Sequence, residues 1–160
     1  MITAPTTAQL LNVVREELAE KVAPAVTDPQ VATSLHMVDH ILRTLAVRAE
    51  HELGWMGEEM SAIELVASRV AASDLPGAAS VAQALGEFRA NVSPGLHAAD
   101  VAADYNRATE VLSRAVEATF AAVDPEDGGE LRAAVNVLLD QRLAHETDVI
   151  GDDFQLVGRS

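Results

Sequence analysis

Three of the five histidines in this chain fall on one stretch of helical pattern, and their spacing raises the question of metal binding or proton transfer. His36, His40 and His51 lie within roughly 60° of one another at about 100° per residue. His36 and His40, at i and i+4, have the spacing of a two-histidine metal site. His51 lies about 16 Å further along the axis and cannot share their ion. A zinc site also needs ligands that one helix cannot wrap around a metal. Asp39 is near in sequence, but HExxH and the Glu-x-x-His pairs of di-iron bundles are absent. The stripe lies opposite Val31, Leu35, Leu42 and Ala49, so these histidines are expected to face solvent or a partner.

A second constellation is His97, Asp100 and Asp104 at the start of another helix. Spacings of three and four make them neighbours, and a His–carboxylate pair there could act as an oriented general base. The helix dipole alone also favours acids in a first turn, and that reading carries more weight. A third is Arg142 with His145, beside the apolar stripe near Leu138. A basic group on a core-facing stripe needs a carboxylate or must reach for solvent. Glu146, four residues on, is the nearest partner, and a ligand carboxylate is the sharper alternative. His97, Asp104, Arg142 and His145 are therefore the candidate ligand-binding set. No residue is assigned a catalytic role, and the enzyme question stays open with the balance against catalysis.

Trp55 and Met56, within Leu53-Gly54-Trp55-Met56-Gly57, either lid the core or contact a partner. Phe154 in the C-terminal stretch is a third candidate contact. No GxGxxG, P-loop, GxSxG or kinase signature occurs, so no nucleotide or other cofactor is implied.

The elements that must position these residues are helices. Thr6 to Gln9 can form a capping box, and Leu10, Leu11, Val14, Leu18 and Val22 follow at helical spacing, up to Pro24. Asp28-Pro29 is a cap followed by a proline at the first helical position. It opens a second helix with an inward stripe of Val31, Leu35, Val38, Leu42, Leu45 and Ala49, closed by Gly54 in a left-handed conformation. A third helix is predicted from about Gly57 to Ala72, ending at Ser73-Asp74-Leu75-Pro76-Gly77. A fourth spans Ala78 to Ala90. A fifth runs from about Leu96 to Ala122 with Ser93-Pro94 as a possible cap. A sixth follows Asp124-Pro125 and runs to about Thr147. No window alternates as a strand does. The predicted fold is all-α, an antiparallel bundle of five or six helices over residues 1–147, with 148–160 a loose or docked tail.

Composition narrows the functions. The chain has 160 residues, 49% apolar, with five aromatics and no cysteine. That length suits one folded domain, and the lack of cysteine excludes disulfides and thiolate chemistry. The formal charge is −14, from 25 acidic and 11 basic residues. Nucleic acid and anionic membrane surfaces both call for clustered cations, so neither is an expected partner. No secretory leader or membrane span is legible, and a cytoplasmic location is expected. Ten of the basic residues are arginine, a bias that together with Ala and Val suggests a high-GC bacterial source.

The segment Pro5-Thr6-Thr7-Ala8-Gln9-Leu10-Leu11-Asn12-Val13-Val14-Arg15-Glu16-Glu17-Leu18, with Gln30-Val31 and Ile41-Leu42-Arg43, resembles the first two helices of a group of small bacterial helical proteins of no assigned activity. Their genes often lie beside aminoglycoside-phosphotransferase-like kinases and acyl-CoA dehydrogenases. The resemblance covers about residues 5–53. It implies an accessory role in small-molecule metabolism and carries no functional residues across. Leu65, Val137 and Leu143 lie off their helices' inward stripes, surplus apolar surface that a homodimer would bury. The expected function is a non-catalytic accessory or interaction protein, with a partner enzyme possible. The alternative is a small-molecule-binding bundle or enzyme with its polar site around His97, Asp104 and Arg142.

Overall fold

The computed structural model describes residues 4–121 and 128–151. They form five α-helices and, among the described residues, no strand. The fold is all-α, as the periodicity predicts. Asp124-Pro125 and Phe154 lie outside the described residues.

Helix α1 (Thr7–Glu17) starts from the predicted capping box. The Gln9 amide donates to Thr6 Oγ1 at 3.2 Å, and the Thr6 amide donates to Gln9 Oε1 at 2.8 Å. The helical path continues as a π turn over Leu18–Val22 and a 3₁₀ turn over Ala23–Ala25. Pro24 explains the change of winding. Its ring crowds the carbonyl four residues back and it has no amide hydrogen. The Ala23 amide instead reaches the Leu18 carbonyl, five residues back.

Helix α2 (Pro29–Ala71) is one continuous element of 43 residues. Asp28 caps it as expected, accepting from the Gln30 amide at 2.7 Å. The predicted stop at Gly54 is overturned. Gly54 is helical, and the positive-φ glycines among the described residues are Gly77 and Gly151. Continuing a helix through a glycine costs about 1 kcal/mol relative to alanine. Ending it there would strand several carbonyls, and no proline or capping side chain stands between Leu53 and Glu58 to compensate. The two helices expected over 28–72 are therefore one.

The inward stripe of α2 also needs correction. Val31, Val38 and Leu45 are exposed, while Ala46 is buried and Leu35 and Leu42 are half-buried. The covered side is turned toward Asp39, where Arg15 of α1 donates through Nε at 2.8 Å. It also includes Arg43, which donates to the backbone carbonyls of Val149 and Ile150 at the end of α5.

Two compact units divide the chain, with boundaries inside α2 and α5. One runs to Glu52 and takes in the segment from Glu146; the other is Leu53–His145. The second unit is an up-down-up-down bundle of the C-terminal part of α2, α3 (Ala78–Ala90), α4 (Ala98–Ala121) and α5 (Gly129–Ile150) as far as His145. Its contacts set the directions. Arg89 near the end of α3 donates to Glu64 and Ser68 of α2. Arg107, ten residues into α4, reaches the Asn91 carbonyl just after α3, while Gly77 just before α3 lies against Ala118 near the end of α4. Arg132 near the start of α5 reaches the Thr119 carbonyl near the end of α4. Each helix thus reverses its predecessor.

The core of this unit includes Ile63, Val70, Val81, Leu85, Phe88, Val111, Leu112, Val135 and Leu138. These are short aliphatic side chains for the most part, as the aromatic-poor composition requires. At Gly77, which precedes α3 with φ +94°, a Cβ would stand 3.3 Å from that of Ala118. Glycine there serves both the left-handed turn and the close approach to α4. Leu65, Val137 and Leu143, off-stripe in the sequence, are all exposed.

Candidate functional site

Polar chemistry in the Leu53–His145 unit gathers on a residue that the sequence pattern did not single out. Glu59 lies on the inward stripe of α2, four residues before Ile63 and seven before Val66, and is only 4% exposed. Its carboxylate therefore needs donors from other helices. His145 of α5 supplies one, with Nδ1 2.8 Å from Glu59 Oε1. Tyr105 of α4 donates its hydroxyl to Oε2. Arg142, one turn before His145, brings Nε to 3.9 Å from the same oxygen.

Aromatic contacts brace this arrangement. The Trp55 ring stacks on His145 with centroids 4.6 Å apart and planes 10° from parallel. Trp55 and Glu59 are four apart on α2, so they project along the same side. The Arg142 guanidinium lies 5.2 Å from the Tyr105 ring centroid, where a cation meets the negative face of the ring. A carboxylate accepts and does not donate, so Nδ1 of His145 is the donor in this contact. In isolation this is the wiring of an oriented base. Here, however, both carboxylate oxygens are engaged by groups of the chain itself, and the histidine ring is covered on one face by Trp55.

The expectation that Arg142 requires a carboxylate is met, but the partner is Glu59 rather than Glu146. Of the four candidate ligand residues, Arg142 and His145 come together on Glu59. Asp104 is buried and used elsewhere, on the connection between α3 and α4. It accepts from the Ser93 amide at 3.0 Å and the Ser93 hydroxyl at 3.2 Å, and pairs with Arg107. Burial pushes its carboxyl up. The Ser93 amide, the Arg107 guanidinium and the Ser93 hydroxyl together outweigh that and hold it below the usual carboxylate range. Ser93 thus ties the loop to Asp104 rather than capping the helix. His97 is exposed, and its carbonyl accepts from Asp100 and Val101 where α4 begins.

His36 and His40 belong to the other unit, that of residues 1–52 and 146–160. His36 is exposed beside a shallow recess lined by Leu18, Ala19, Val26, Leu35 and Asp39. His40 is half-buried. Among the described residues, no group of three or more His, Cys, Asp and Glu side chains is placed to hold a metal ion. Asp39 is engaged by Arg15, whose hydrogen bond holds the carboxyl below its ordinary range against the opposing effect of burial; the charges of His36 and Arg43 add to the lowering. Trp55 and Met56 are both half-buried, Trp55 through its stack on His145.

Sequence reasoning missed Glu59 and the role of Tyr105. The available signal was an acidic residue on an apolar stripe, complementary to the basic pair already noticed on α5. Among the described residues no helix is long and apolar enough to cross a membrane. No protein family, curated protein or solved structure matches this chain.

Proposed function

We propose that this chain is a non-catalytic accessory protein that works by presenting a helical surface to another protein. The observation that carries this is the contrast between its polar and apolar groups. The Glu59 cluster is satisfied internally, whereas Val31, Met37, Val38, Ile41 and Leu45 of α2 are between 43% and 61% exposed. Scattered exposed leucines are ordinary, but a contiguous apolar face marks an interaction surface. A role in small-molecule metabolism draws its support from the resemblance over residues 5–53.

A thermal-shift screen of the full chain with acyl-CoA species, other anionic metabolites, Zn²⁺, Ni²⁺ and Fe²⁺ tests this reading. The expected result is no shift. A ligand at a hundredfold excess over its dissociation constant adds about 2.7 kcal/mol of stability, and such a hit, abolished by His145→Ala, would overturn the proposal. It would favour the second reading, a small-molecule site. That reading rests on the convergence of Arg142, His145 and Tyr105 on Glu59 from two helices other than its own.

A further inference from the structure

The open side of α2 has a pattern that narrows the choice of partner. At about 100° per residue, Met37, Ile41, Leu45, Val38 and Val31 cover an arc of roughly 120°. Leu42, Leu35 and Ala46 continue it into the covered side. A helix apolar over so wide an arc has two neighbours, and the first unit of this chain supplies cover on one side. Val31, Val38 and Leu45 are spaced by seven, with Ile41 three beyond Val38, while Ser34 and Arg48 stand seven residues before and after Ile41. A seven-residue repeat of this kind meets another helix of the same repeat, each side chain entering a gap between four on the facing helix.

Charge singles out this face as the place where a second copy can meet the chain. Two molecules of net charge −14 repel over most of their surfaces. Between Pro29 and Ala49, however, the sequence has Asp39 as its sole carboxylate, and Arg15 engages it from the covered side. The positions flanking the repeat are Gln30, Met37 and Thr44 on one side, and Leu35, Leu42 and Ala49 on the other. None is charged, so like faces can meet without opposing carboxylates, as interface cores require. At the far end Arg48 stands on the seam itself, seven residues beyond Ile41, and pairs with Glu52 of its own chain.

Resting on the interaction reading, we infer that the Val31–Leu45 face of α2 packs against the same face of a second copy of this chain. A two-fold pairing sets each residue of the patch against its own counterpart or the counterpart's neighbour, and Val38, in the middle of the repeat, lies nearest the axis.

Sedimentation equilibrium of the full chain at micromolar concentrations tests this, with Val38→Glu and Leu45→Glu as face variants; Leu65→Glu is the control in the other unit and tests the competing dimer surface of Leu65, Val137 and Leu143. The wild type and Leu65→Glu are expected to be dimeric, and each face variant to raise the dimer dissociation constant at least tenfold with unchanged helicity. Because the chain has no cysteine, Val38→Cys gives a second readout that does not require tolerance of a glutamate. Oxidation is expected to yield a covalent dimer, and Leu65→Cys to yield none. A wild type that stays monomeric, a dimer indifferent to both glutamates, or no cross-link at Val38→Cys overturns the inference. A monomer that also shows no ligand response would leave the interaction reading standing with a foreign partner on this face. A metabolite hit would sink that reading instead.

Discussion

Glu59 and His145 are 86 residues apart in sequence and 2.8 Å apart in the structure, joined through Nδ1 of the imidazole and Oε1 of the carboxylate. The contact ties α2 to α5 within one four-helix unit, with Nδ1 of the ring as the donor. A buried acid is otherwise a liability, so its neighbours on two other helices are part of what makes the fold tolerable.

Replacing Glu59 with alanine removes the carboxylate that Tyr105, Arg142 and His145 share. Loss of one partner from a buried charged group costs roughly 3–5 kcal/mol, and Arg142 and His145 are exposed enough to recover water. The expected loss is therefore about 2–3 kcal/mol, measured by urea denaturation. A loss below about 0.5 kcal/mol, the range of an ordinary surface change, would show that the cluster contributes little.

Trp55 is the sole tryptophan, so its emission reports directly on the stack with His145. His145→Ala is expected to shift that emission to the red, as water replaces the ring, while far-UV circular dichroism stays unchanged. His145→Phe, which keeps an aromatic face, is expected to restore most of the wild-type spectrum. Identical spectra for all three proteins would mean the stack does not persist in solution.

Two glycines give opposite expectations for the same substitution. Gly54→Ala lies within α2 with nothing within 4 Å of the added Cβ, and is expected to stabilise by about 0.5–1 kcal/mol. Gly77→Ala combines φ +94° with a 3.3 Å approach to Ala118, and is expected to destabilise by more than about 1 kcal/mol. Paired thermal melts would check the sign of each.

Asp39 and Asp104 both have carboxyl groups held below their ordinary range in the folded state. Such a group contributes stability that is present above the unfolded value of about 3.9, and the contribution is lost as pH falls through the folded value. Stability is therefore expected to drop below about pH 4, with a shallower acid limb in Asp39→Asn and Asp104→Asn. Urea midpoints compared at pH 5 and pH 3 would reveal it. An unchanged limb in both variants would assign acid sensitivity to other carboxylates.

Most helix boundaries were legible because the breaks carry redundant signals. Asp28-Pro29 and Pro76-Gly77 each join a proline to a cap or a left-handed glycine, and the structure turns at both. Gly54 and Gly57 have no such support, and a lone glycine proved too weak a signal against the continuity of α2. The inward stripe of α2 was misplaced for a related reason. Periodicity locates an apolar arc, but the arc here is wider than one neighbour covers, so contacts such as Arg15–Asp39 decide which half is buried. The candidate site was half legible. Arg142 and His145 stood out as basic groups on an apolar stripe, while the search for their acid stayed within their own helix. No rule of local spacing links residue 145 to residue 59.

That long separation has a kinetic consequence. The contacts between successive helices close short loops: Arg89 to Glu64 spans 25 residues, Arg107 to Asn91 spans 16, and Arg132 to Thr119 spans 13. Bringing residues 59 and 145 together closes a far longer loop, an added entropy cost of about 1 kcal/mol over the 25-residue one. Assembly by adjacent hairpins followed by closure of α5 on α2 is the cheaper route, and it makes the Glu59–His145 contact a late event. Interactions absent from the transition state act on the unfolding rate alone. The polar cluster thus sets how long a folded molecule lasts rather than how quickly one forms.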